Sequence, residues 1–116
     1  MTGSLGLLAD RLKRFAEERD WQQFHSPKNL ASALAVEAGE LLEHFQWLTE
    51  AQSRSLDPDR KEAVGEELAD VLLYLIQLAA SLGIDPIAAA DRKLGLNEIK
   101  YPVELSRSNS TKYDRR

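Results

Sequence analysis

Two stretches of the chain carry apolar residues in the alternating four- and three-residue spacing of packed helices. The first runs Leu34, Ala38, Leu41, Phe45 and Leu48, and the second runs Val64, Leu68, Val71, Leu75, Leu78 and Leu82. Residues so spaced share one face of a helix, the seam along which bundled helices pack. The second stretch is also apolar beside its seam, at Leu72, Leu73, Ile76 and Ala79, which predicts a central helix packed on more than one side. Helix starts are marked by Ser26-Pro27, Asp57-Pro58 and Asp85-Pro86, where a good N-cap precedes a proline suited to the first helical position. Gly83 is a natural C-terminal stop. The pattern predicts helices over Ser4 to Arg19, Pro27 to Leu48, Pro58 to Leu82 and Pro86 to Lys100, with a polar loop from Thr49 to Leu56. No segment shows strand alternation, so the fold class expected is all-α, a four-helix bundle. Gly65 lies inside the third helix, where it costs roughly 1 kcal/mol relative to Ala, and it is expected to permit close helix approach.

Within these helices stand two acidic pairs, Glu37 with Glu40 and Glu67 with Asp70. Each pair has i,i+3 spacing and so lies on one helix face, about one turn apart. Each begins a longer stripe of identical spacing: Glu37, Glu40, His44, Trp47 on the second helix and Glu67, Asp70, Tyr74, Gln77 on the third. If the helices pack side by side, four carboxylates converge at one end of a groove, with Trp47 and Tyr74 beyond them. Glu43, Glu62 and Glu66 read as ordinary solvated acids. Asp70 does not, since Val-Leu-Leu-Tyr-Leu-Ile follows it directly and Asp is a poor residue in mid-helix. Carboxylates in apolar surroundings are costly unless a positive charge compensates them. A hard divalent cation does so, which makes Mg²⁺ the expected cofactor and a phosphorylated molecule the expected substrate.

Composition narrows the alternatives. A hydrophobic share of 43% with 29% charged residues describes a soluble globular chain rather than a disordered one. At 116 residues it is one domain, with a core spanning 1–105 and a polar, basic tail over 106–116. A net charge of −4 argues against a nucleic-acid polymer as partner. No apolar run approaches a membrane span, and the chain begins with no secretory signal pattern. The absence of cysteine removes disulfides, thiolate metal sites and thiol catalysis, and fits the cytoplasm. Of the two histidines, His25 and His44, neither follows a Glu by three residues, so the Glu-x-x-His motif of di-iron bundles is missing. Zinc hydrolases need His or Cys ligands at suitable spacing. Oxygen-only ligation points to Mg²⁺ or Mn²⁺.

Glu37-x-x-Glu40 followed by Glu67-x-x-Asp70 resembles the E-x-x-E…E-x-x-D signature of the all-α nucleoside triphosphate pyrophosphohydrolases of the MazG type. The resemblance is closer to the dCTP pyrophosphatase branch. It is carried by Glu18-Arg19-Asp20-Trp21, Gln23-Phe24-His25, Pro27-Lys28-Asn29-Leu30 and Phe45-Gln46-Trp47. It continues through Glu66-Glu67-Leu68, Asp70-Val71-Leu72, Lys93, Asn97, Tyr101-Pro102 and Lys112-Tyr113.

The resemblance implies hydrolysis of a nucleoside triphosphate, favouring dCTP or a modified pyrimidine deoxynucleotide, to monophosphate and pyrophosphate. The implied role is nucleotide pool control or house-cleaning. It assigns Glu37, Glu40, Glu67 and Asp70 to Mg²⁺ and catalysis, one of them serving as general base, with Glu40 a candidate among the four. It assigns Trp21, Gln22, Gln23, Phe24, His25, Trp47 and Tyr74 to the base and sugar pocket, and Lys93 and Asn97 to the phosphate side. It also implies a homo-oligomer, dimer or tetramer, and a tail stretch from Arg107 to Tyr113 folded over a neighbour or the active site. Indole and phenol rings are good platforms for a flat nucleobase, and a lysine suits a polyphosphate. Differences from the family pattern at Leu12, Gly95 and Glu98-Ile99-Lys100 touch the pocket rim and bear on base preference. The rival from another class is a non-catalytic helical oligomer that binds nucleotides or a partner protein.

Overall fold

The computed structural model describes residues 1–107, all helix, turn or loop, with no strand among them. Among the described residues there are six helices: α1 (Gly3–Glu18), α2 (Pro27–Glu43), α3 (Glu50–Ser53), α4 (Pro58–Ser81), α5 (Pro86–Lys100) and α6 (Val103–Ser106). A 3₁₀ turn at Gln22–Phe24 lies between α1 and α2. The chain divides into two compact units, Met1–Ile84 and a second that begins at Asp85.

The predicted helix starts are realised through their caps. Ser26 Oγ accepts from the Asn29 amide at 3.1 Å, and Asp57 Oδ1 accepts from the Arg60 amide at 2.8 Å. Asp85 Oδ1 accepts from the Ile87 amide at 3.0 Å and the Ala88 amide at 3.3 Å. Each bond satisfies an amide that the first helical turn leaves without a partner. Gly83 ends α4 in the left-handed region, at φ 67°. The Ile84 amide reaches back to the Ala79 carbonyl and the Gly83 amide to the Ala80 carbonyl, the reciprocal pattern of a Schellman stop.

In the first unit, α1 and α2 both pack on α4, which is therefore the central helix the apolar pattern predicts. The core is Ala16, Leu30, Val64, Ile76 and Ala79, with Ile76 wholly enclosed. The predicted seam of α4 is buried only in part: Val64 is buried and Val71 and Leu78 are half-buried, but Leu68, Leu75 and Leu82 are exposed, while Glu67, Ile76 and Ala79 beside it are buried. Where a helix is apolar on several sides, as α4 is from Val71 to Ala80, periodicity identifies apolar rows but does not choose which row faces the neighbours.

The second helix ends earlier than its pattern suggests, at Glu43 rather than Leu48. Arg60 Nη1 donates to the His44 carbonyl at 2.8 Å. That carbonyl is the acceptor a continuing helix would offer to the Leu48 amide, which instead bonds to the Phe45 carbonyl. The expected loop after it contains α3, started by a capping box in which Thr49 and Gln52 exchange side-chain-to-backbone bonds of 2.9 and 3.1 Å.

Among the described residues Gly65 makes no close helix approach, since a Cβ built there meets nothing within 4 Å. Gly65→Ala is therefore expected to raise stability by about 1 kcal/mol, the helix-propensity difference alone. Urea denaturation checks this, and a lower midpoint would mean that another surface occupies the space.

In the second unit α5 has the predicted bounds, Pro86–Lys100, and buries none of its residues. Lys93 is exposed and Asn97 is half-buried, one turn apart. The short helix α6 spans the boundary expected at 105/106. The stretch proposed to fold over a neighbour, Arg107 to Tyr113, lies outside the described residues beyond Arg107.

Candidate active site

The acidic pairs come together because α2 lies along α4. Carboxylate oxygens of Glu37, Glu67 and Asp70 all lie within 4.8 Å of one another. Glu67 is buried, with 8% of its surface accessible, and Glu37 is half-buried. Asp70 is exposed, contrary to the expectation drawn from the apolar run after it, because that run faces several directions round the helix. Glu40 is exposed on the next turn of α2, close enough to Glu37 for the two carboxyls to affect each other's titration.

The site is electrostatically incomplete as a set of carboxylates. Glu37 Oε2 and Glu67 Oε1 are both enclosed and neither accepts a hydrogen bond. Burying such an oxygen without a partner is costly. A hydrogen bond between the Glu37 and Glu67 carboxyls exists only when one of them is protonated. That bond, with desolvation and the charges of Glu67 and Asp70, holds the Glu37 carboxyl above its usual range. Glu40 is likewise held up, chiefly through its hydrogen bond with Glu37. Like charges crowded together resist full ionisation.

A divalent cation is the other way to resolve the cluster, and the residues fit one. The donors are all hard oxygens, as Mg²⁺, Mn²⁺ and Ca²⁺ require. Three carboxylate oxygens within 4.8 Å of one another are close enough for their residues to hold one such ion.

The raised carboxyls have a sign-definite consequence. A carboxyl whose folded pKa lies above its unfolded value near 4.5 makes the folded state bind the extra proton. Its stabilising contribution is complete below that unfolded value and is lost as pH rises through the folded pKa. The metal-free protein is therefore expected to lose stability, relative to Glu37→Gln, as pH rises from 4.5 toward neutrality. Saturating divalent cation should remove that difference. Urea melts of both proteins across pH, with and without the cation, measure it, and a metal-free wild type that keeps or gains stability relative to Glu37→Gln as pH rises would contradict the cluster's electrostatics.

Beside the cluster, between α1 and α4, a cleft of about 400 Å³ opens. Asp70 belongs to both. Trp21, His25 and Tyr74 line the cleft, together with Phe15 and Leu12. The segment that delivers Trp21 is tightly built. α1 ends in a second Schellman stop, with the Trp21 amide bonded to the Ala16 carbonyl and the Asp20 amide to that of Glu17. Its left-handed position is filled by Asp20, at φ 53°, where a glycine would be free of strain. Gln23 Nε2 clasps this turn, donating to the Asp20 carbonyl at 3.0 Å and to Asp20 Oδ2 at 3.3 Å. Asn29 Nδ2 ties down the Phe24 carbonyl at 3.0 Å. Phe15 meets the Trp21 ring edge-on at 5.7 Å and carries the Arg19 guanidinium 3.7 Å above its own centroid.

The predicted residues thus fall into groups. Glu37, Glu67 and Asp70 converge with Glu40 beside them, and Trp21, His25 and Tyr74 surround the adjoining cleft. Gln22, Gln23 and Phe24 are exposed on the 3₁₀ turn outside that lining, where Gln23 fastens the turn. Trp47 lies beyond the end of α2 and is 87% exposed, outside the cleft lining. Lys93 and Asn97 belong to the second unit. Arg11 and Gln77 line the cleft without having been expected as binding residues. A signal existed for both: Gln77 closes the stripe of Asp70 and Tyr74, and Arg11 lies at helical spacing from Leu8 and Phe15.

Comparison with known proteins finds relatives in sequence and in fold. Residues 33–115 match the model of the MazG-like family. The chain is 48% identical over 101 residues to dCTP pyrophosphatase 1 of Rattus norvegicus and to that of Homo sapiens, covering 85% of this chain and 59% of theirs. It therefore spans about three-fifths of the length of these curated relatives. The crystal structure of a pyrophosphatase from Archaeoglobus fulgidus superposes with a TM-score of 0.81 at 42% identity, over 88% of this chain and 95% of that one.

Proposed function

This chain belongs to the MazG-like family, and from that premise we propose that it is a Mg²⁺-dependent nucleoside triphosphate pyrophosphohydrolase. Water attacks the α-phosphorus, the α–β bridging oxygen leaves with pyrophosphate, and the nucleoside monophosphate remains. The supporting observation is the junction at Asp70, where an orphaned carboxylate cluster built for a hard cation opens into an aromatic cleft. One end suits a polyphosphate carrying its cation and the other a flat base, and a nucleotide carries both groups.

Glu37, Glu67 and Asp70 would hold Mg²⁺, with Glu40 beside them. When bound, the ion neutralises phosphate charge and lowers the pKa of coordinated water. Glu40, exposed beside the three converging carboxylates and outside their set, is the candidate to accept the water's proton. Trp21 and Tyr74 offer ring faces to the base, and His25 a polar edge. The relatives named dCTP pyrophosphatase 1 make dCTP or a modified pyrimidine deoxynucleotide the favoured substrate, which is a role in nucleotide pool control.

A homo-oligomer belongs to the same proposal. The first unit leaves Leu42, Trp47, Leu68, Leu72 and Leu75 exposed, more large apolar surface than a solitary domain of this size usually shows. Among the described residues no single helix is long and apolar enough to cross a membrane. The cytoplasm, where nucleotide pools lie, is the compartment proposed.

The test is turnover of natural and 5-modified NTPs and dNTPs with and without Mg²⁺, resolving the products. Monophosphate and pyrophosphate formed only with the cation is the expected result. Nucleotide binding without turnover would instead favour a non-catalytic binding oligomer.

A further inference from the structure

We infer that Arg11 and Gln77 read the hydrogen-bonding edge of the base and select an amino-bearing pyrimidine over its 4-oxo counterpart. This rests on the function proposed above. Asp70, Tyr74 and Gln77 lie at i, i+4 and i+7 along α4 and all face the cleft. Gln77 therefore sits about 10 Å along the helix axis from Asp70, at 1.5 Å per residue. A nucleotide anchored by its phosphates at the carboxylates and stacked beside Tyr74 brings the far edge of its base to that level. Arg11 reaches the same cleft from α1.

The polarity of the two groups is defined. Gln77 Nε2 donates to the Leu73 carbonyl at 3.3 Å. A carbonyl can only accept, so the amide nitrogen is the atom that faces it, and Oε1 is left to accept from a ligand. The Arg11 guanidinium has donors alone. Among the described residues it makes no hydrogen bond or ion pair, so its donors are available to the cleft. The pair presents one acceptor and one set of donors. A 4-aminopyrimidine complements it, with an exocyclic amine that donates beside a ring nitrogen and carbonyl that accept. A 4-oxopyrimidine places a carbonyl where the amine should be, opposite Gln77 Oε1, and two acceptors repel. A site arranged to hydrogen-bond one group discriminates well against an analogue that cannot reciprocate.

The experiment compares kcat/KM for dCTP and dUTP, which carry the same triphosphate and sugar, in the full chain and in Arg11→Met and Gln77→Met. Both substitutions keep an unbranched apolar stem, and Arg11 is exposed, so folding is checked by melting each variant. Wild type should prefer dCTP, and each variant should lower the dCTP-to-dUTP ratio by roughly 10-fold, the loss of about one well-formed hydrogen bond, with the change mainly in KM. Arg11→Lys, which keeps a donor, should retain part of the preference. A structural role would lower turnover of both substrates equally and leave the ratio unmoved, which overturns the inference while the pyrophosphohydrolase reading stands. A wild-type preference for dUTP overturns it as well. No turnover of either substrate, or of any other nucleotide, by wild type removes the proposed function and this inference with it.

Discussion

Glu67→Gln is expected to abolish turnover while leaving the fold intact and the metal-free protein more stable than wild type. Glu67 is the buried member of the carboxylate cluster, and its Oε1 and the Oε2 of Glu37 are enclosed without a hydrogen-bond partner. A glutamine amide in its place donates a bond to Glu37 and removes one of two repelling charges, so folding should gain by about 1 kcal/mol. The same exchange removes an anionic ligand from the cation and should lower kcat by at least about 100-fold, the usual cost of losing one group that stabilises transition-state charge. Asp70→Asn and Glu40→Gln should also abolish turnover. The opposite signs on stability and activity make the measurement informative. A stabilised Glu67→Gln protein with near-normal rates would sink the metal assignment, whereas a variant destabilised by several kcal/mol would mean that Glu67 serves packing. Urea melts without metal and steady-state turnover with Mg²⁺ supply both readings.

The largest effect on stability is expected at Ile76. Its side chain has no accessible surface, on the helix against which α1 and α2 both pack. Ile76→Ala should cost about 3–5 kcal/mol, combining lost transfer free energy with the cavity left behind. That is a large share of the stability of a domain this size. Ile76→Val should cost about 1 kcal/mol. Leu75→Ala, one residue away but 38% exposed, is the control: measured on the monomeric chain it should cost far less. A cost at Leu75 rivalling that at Ile76, and growing with protein concentration, would mean that Leu75 is buried by a second copy.

Much of this molecule is legible from local chemistry. Three helix starts follow from a cap residue followed by proline, and the end of α4 follows from Gly83, because such signals act within a few residues of themselves. The acidic pairs were legible for the same reason, since i,i+3 spacing holds wherever the helix lies. Local rules fell short at the end of α2, where a distant group bonds the backbone. The second helix stops at Glu43, and Arg60, sixteen residues beyond His44, bonds the carbonyl that a longer helix would have offered to Leu48. The first helix ends at Glu18, one residue from its predicted end, in a turn whose left-handed position is Asp20, clasped by Gln23.

The sequence by itself determined the helical class, most helix boundaries and the identity of the four acids, because each depends on neighbours along the chain. Only the tertiary structure decided which face of α4 is buried. That choice encloses Glu67 and leaves Asp70 and Leu68 exposed, and no periodicity distinguishes two apolar rows on one helix. It decided too that Trp21, His25 and Tyr74 share a cleft with Arg11 and Gln77, while Trp47, from the same family pattern, stands 87% exposed beyond the end of α2. Spacing along a helix specifies what shares a face, but only the packing of one helix on another specifies what that face meets.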